Sequence, residues 1–156
     1  METEWGEARE MAADSDEAHS LLASCGLELC AAGENKVPAA LDIVQLLSNA
    51  YVEPVAAVPK NTRNPVEELG RQWHRMAAVK HLAAEDGRFL ILLAGPGASE
   101  RGWLCVKDLV GSDLPSRLLE VNGSVEFIAL SMDGQRICAT SEEDEEYWVV
   151  YEEVSP

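Results

Sequence analysis

The chain has 156 residues, enough for one domain with a core, since a chain of this size buries about 70% of its unfolded surface. Its 28 acidic residues against 12 basic ones give a net charge of −16. Such a field repels nucleic acid and anionic membranes and speeds encounter with cationic surfaces, which argues against nucleic acid binding and for a basic protein partner.

The four cysteines, Cys25, Cys30, Cys105 and Cys138, form no CxxC pair and no Cys–His spacing of a zinc site. Met1 to Trp5 lack a basic stretch followed by an apolar one, so no secretory signal is read there. The longest clean apolar run, Phe89 to Ala94, is far short of a membrane span. These features predict a reduced, soluble, cytoplasmic protein with no membrane association.

In chain order, residues 1–14 read as an acidic, frayed or mobile tail whose one aromatic is Trp5, and residues 15–154 as a single domain. Asp14 to Glu17 form a capping box opening a helix with Ala18, Leu21, Leu22 and Cys25 on one face and Gly26 as its stop. Leu27 to Ala32 is ambiguous between strand and helical turn. Pro38 is expected as the first residue of a second helix running to about Tyr51. Glu53 to Arg63, with Pro54 and Pro59, reads as an extended connection.

Asn64-Pro65-Val66-Glu67 predicts a helix start with Asn64 as cap, and a helix to about Ala84 is expected to bury Val66, Leu69, Trp73, Met76, Ala77 and Ala83 or Ala84. Glu67 and Arg71 stand as an i,i+4 pair on its other side. Arg88 to Ala94 is a buried strand, Gly95 to Gly102 a tight loop, and Trp103 to Lys107 a strand paired with the first. Asp108 to Glu120 reads as a connection with one helical turn after Pro115.

Val125 to Ser131 and Gln135 to Thr140 are expected to form a hairpin around Asp133-Gly134, a two-residue turn with positive φ at both positions. That register sets Leu130 against Ile137, Ala129 against Cys138 and Ile128 against Ala139. Both faces of the hairpin are apolar, which calls for packing on each side. Tyr147 to Tyr151 is the last strand. Helices first and strands afterwards predict an α+β fold, with N-terminal helices packed on a mainly antiparallel C-terminal sheet of about five strands.

Candidate chemistry is sparse. Leu92 to Ser99 run a strand into a Gly-rich loop, as phosphate-binding loops begin, but the phosphate-binding Lys and its following Ser/Thr are missing and a strand follows. An enzyme or nucleotide binder using Gly95 to Gly102 is therefore an alternative, with a hairpin turn preferred. His74 and His81 share one helix side without metal-ligand spacing and among Arg71, Arg75 and Lys80, so a solvated basic face is expected there. No GxSxG elbow and no Cys–His signature occurs. No catalytic residue, metal site or cofactor is assigned.

Glu142, Glu143, Asp144, Glu145 and Glu146 form an acidic run followed by Tyr147 and Trp148. Two readings compete: a solvated gatekeeper beside an apolar strand, and aromatic anchors in a charged rim that grips a basic partner. The sequence-level expectation is a small acidic binding protein of inhibitor or immunity type. The alternative beside it is a constitutive subunit or adaptor of a larger assembly. Charge and size carry this analogy; no motif does.

Overall fold

The computed structural model describes residues 19–31, 36–48, 52–95 and 102–154. The architecture is α+β. Its seven strands, all paired antiparallel, are β1 (Leu27–Leu29), β2 (Ala56–Pro59), β3 (Arg88–Leu93), β4 (Leu104–Asp108), β5 (Phe127–Leu130), β6 (Arg136–Glu142) and β7 (Glu146–Glu153). Among the described residues four helical segments accompany them: α1 over residues 19–24, α2 (Ala40–Leu47), α3 (Pro65–Val79) and α4 (Leu114–Asn122). The strand order is β1-β4-β3-β5-β6-β7-β2, so the first two strands of the chain form the two edges.

The β5–β6 hairpin takes the expected register, with Leu130 opposite Ile137, Ala129 opposite Cys138 and Ile128 opposite Ala139. Its turn differs. Gly134 has φ +75°, but Asp133 does not share a positive φ. Instead the Gly134 N–H bonds the Ser131 carbonyl at 2.8 Å, and the Asp133 carboxylate accepts from the Ser131 hydroxyl, the Gln135 N–H and the Arg136 guanidinium. A side-chain-braced loop thus replaces the tight two-residue turn, at the same strand offset.

Alternation along the strands sorts the apolar residues onto two faces. Phe89, Ile91, Phe127, Ala129, Cys138 and Val149 face α1, α3 and α4, where Leu22, Leu69, Trp73 and Leu118 close the larger core. Leu90, Leu130, Ile137 and Ala139 face the other way, toward Ile43 of α2. Trp73 fixes α3 to the sheet. Its Nε1 donates to the Cys138 carbonyl at 3.0 Å, and its ring meets Phe127 edge-on with centroids 5.0 Å apart.

Several expectations need correction. The sheet has seven strands, because Leu27–Leu29 and Ala56–Pro59 add its edges; Pro59 is tolerated there since an edge strand has one side without ladder bonds. Helices and strands are not cleanly segregated: two strands lie in the N-terminal half, and α4 stands where a connection was expected.

Pro38 precedes α2, whose helical residues begin at Ala40. Asn64 adopts a left-handed conformation (φ 54°) and makes no side-chain cap. α3 stops at Val79, where His81 (φ 53°) turns the chain and lets Leu82 enter the core while Ala83 stays exposed. Arg71 pairs with Glu68, not Glu67. The second helix ends at Leu47, short of the expected Tyr51. The tail with Trp5, the Asp14–Glu17 box, residues 49–51 and residues 96–101 lie outside the described residues.

Candidate functional site

The acidic run sits at the end of the sheet where β6 turns into β7 beside β2. Glu143 N–H bonds the Glu146 carbonyl at 2.8 Å to close the turn. Lys60, just past β2, donates its N–H to the Glu145 carbonyl at 2.9 Å, extending the ladder by one rung. Its ammonium then bridges to Glu142 Oε2 at 2.8 Å and stands 5.3 Å from the centroid of the Tyr147 ring. The hydrogen bond to Glu142 holds the Lys60 pKa above its usual value of 10.5.

The run is therefore not uniform. Glu142 is neutralised by Lys60 and also anchored at its backbone, where its N–H donates to Glu126 Oε2 at 2.8 Å. Glu143 accepts from the Ser141 hydroxyl at 2.8 Å, and Glu146 accepts from the Trp148 indole N–H. Asp144 and Glu145 are exposed. The turn and Glu126 together carry six carboxylates, of which Glu142 is paired with the Lys60 ammonium.

Tyr147 and Trp148 do not form one patch. Neighbours in a strand point to opposite faces. Tyr147 packs on the helix-covered core under Lys60, and Tyr151, four residues on, lies there under Lys80 at 4.8 Å. Burial and the Glu153 carboxylate push the Tyr151 phenol up to about 12. Trp148 stands on the α2 side instead, half-buried, where it lines a cleft of about 530 Å³.

The cleft lies between α2 and the sheet. Leu92, Ile128, Ala139 and Val150 form its floor, Val44 and Leu47 its helical wall, and Glu126, Ser141 and Glu143 its polar rim. It remains open because α2 is short and buries only Ala40 and Ile43. Sequence reasoning missed it. A signal was present: Glu126 is the one charged residue in the run from Val125 to Leu130, on the same strand face as Ile128 and Leu130.

Other candidates resolve into structure. His74 Nε2 accepts the Leu114 N–H at 3.2 Å, and its ring meets Trp73 edge-on at 4.8 Å. Among the described residues, no group of three or more His, Cys, Asp or Glu is placed to hold a metal ion. The segment Gly95–Gly102 lies between β3 and β4, an antiparallel pair, and its residues 96–101 lie outside the described residues. Cys25, Cys105 and Cys138 are buried and Cys30 half-buried, all four as free thiols. Burial pushes the Cys138 thiol up to about 12, which suppresses its thiolate. Among the described residues no helix is long and apolar enough to cross a membrane.

No protein-family model, curated protein or solved structure matches the chain.

Proposed function

We propose that the chain is an acidic, cytoplasmic, non-catalytic binding protein that engages a basic protein partner, as an inhibitor or immunity-type neutraliser does. The supporting observation is the charge imbalance at the β6–β7 end of the sheet. There Glu126 joins the five consecutive acids Glu142 to Glu146, Lys60 pairs with Glu142, and Asp144 and Glu145 are exposed. Like charges held this close repel one another, so a cationic surface brought to them relieves a standing cost. The net charge of −16 extends that attraction to long range.

The test is a charge reversal at the two acids that brace nothing in the fold, Asp144→Lys/Glu145→Lys. Immobilised wild-type and variant chains are compared for the proteins they retain from the source cell at about 0.1 M and about 1 M salt, over which the Debye length falls from about 10 Å to about 3 Å. A basic protein retained by the wild type at low salt, released at high salt, and bound by the variant at least about tenfold more slowly is the expected outcome. Identical retention by the two chains at both salt concentrations would sink the reading.

A further inference from the structure

The cleft beneath α2 joins two chemistries that the acidic turn lacks by itself. Its floor is apolar, and its size falls within the range of about 300–1,000 Å³ typical of pockets that take a ligand. Its rim carries Glu126 and Glu143, and no Lys, Arg or His stands among the described residues that line it. Lys60 and Lys80 are engaged over Tyr147 and Tyr151 on the opposite face of the sheet.

Both rim carboxylates are already positioned. Glu126 is held through Oε2 by the Glu142 N–H, and Glu143 through Oε2 by the Ser141 hydroxyl. A cation arriving there meets acceptors that need no further ordering, and the Trp148 indole beside them adds a surface that favours guanidinium.

We propose that this cleft receives a cationic amphipathic segment of the partner protein. One large apolar side chain enters between Val44 and Val150, and the Arg or Lys residues flanking it meet Glu126 and Glu143. This rests on the reading of the chain as a binder of basic protein, and it fixes where the grip lies. Charge complementarity selects the occupant. An acidic peptide or an anionic lipid would bring negative charge against two carboxylates, and a second copy of this chain would add another −16.

The probe is a short acetylated, fluorescein-labelled peptide amide alternating leucine and arginine, read by fluorescence anisotropy against the full chain. Leucine–glutamate and serine–arginine peptides serve as controls. Val44→Trp fills the cleft from the helical wall, and Glu126→Gln/Glu143→Gln removes the rim charge while keeping the acceptors that brace the loop; circular dichroism confirms that each variant folds. The leucine–arginine peptide should bind, and each variant should weaken it about tenfold or more. The leucine–glutamate peptide should not bind, and the serine–arginine peptide should bind weakly.

The proposal is overturned if the leucine–arginine peptide fails to bind, if the glutamate peptide binds as tightly, or if neither variant weakens binding. Partner capture run in parallel separates the two ideas. Loss with Asp144→Lys/Glu145→Lys but not with Val44→Trp keeps the acidic binder and removes the cleft. Loss with Val44→Trp alone keeps the cleft and removes the turn.

Discussion

His74 lies half-buried between Trp73 and the start of α4, with Nε2 accepting the Leu114 N–H. A charged imidazole would have no lone pair for that bond and would lose its hydration. Burial accordingly lowers its pKa from 6.5; Arg117 lowers it further, and Asp108 and Asp113 oppose the shift. Above pH 6.5 the side chain is neutral in both folded and unfolded chains, and its full contribution is present. As pH falls through 6.5 the unfolded chain takes the proton first, so stability is lost until the folded value is reached. Urea melts of wild type and His74→Gln, whose amide oxygen can accept the same N–H, should converge or cross as pH falls from about 7.5 to about 5. A constant difference between them would show that His74 does not titrate in this way. The pattern of residues marked Trp73 as buried, but its indole bond to Cys138 and its ring contact with Phe127 join segments far apart in sequence, and one-dimensional spacing carries no sign of them.

Among the elements, α2 is the one with the least hold on the rest. It buries Ala40 and Ile43, and its approach is fixed by Trp103 Nε1 donating to the Pro38 carbonyl at 2.8 Å. The loop after β5 packs against that approach. A Cβ on Gly134 would sit 2.9 Å from Pro38 Cδ and 3.2 Å from Val37 Cα, at a φ of +75° that L residues rarely adopt. Gly134→Ala should therefore cost about 1–2 kcal/mol in backbone strain alone. It should also speed amide exchange in α2 well before that of β5 and β6; unchanged exchange in residues 40–47 would contradict the contact. Asp133-Gly134 was legible as a turn and the register followed from it. The reason this glycine must be a glycine was not, because it depends on Val37 and Pro38, nearly a hundred positions earlier. β2 was missed and α4 foreseen only as a single turn, both on local grounds. Pro59 read as part of an extended connection and Pro115 as the start of a single helical turn, yet one sits on a sheet edge and the other in the first turn of a nine-residue helix, the two places where a missing N–H costs least.

For the molecule as a whole, the bases cover specific places: Lys60 and Lys80 lie over tyrosines on the helix side of the sheet, and Arg117 pairs with Asp108 at 2.9 Å while donating to the Cys25 carbonyl. The excess acid stays uncompensated, and a net −16 opposes compaction through self-repulsion. The urea midpoint should rise as salt increases from about 0.01 M to about 0.15 M, where the Debye length shrinks from about 30 Å to about 8 Å. A flat response would mean that the carboxylates are spaced widely enough not to feel one another. The sequence made the acidic turn plain and the cleft invisible. The turn is a run of neighbouring letters, whereas the cleft is assembled from α2, β3, β5, β6 and β7.

The strand order has a bearing on how the chain is made. β1 waits for β4, and β2 waits for β7, with Lys60 and its ion-pair partner 82 positions apart. On the ribosome the N-terminal half emerges with both of its strands unmatched, and neither border of the sheet can zip until the strands it lines up against have been translated. The β1 border can close once Leu104–Asp108 has emerged, before the central β5 exists, whereas a nascent chain stalled before Glu146 would leave Ala56–Pro59 with nothing to pair against.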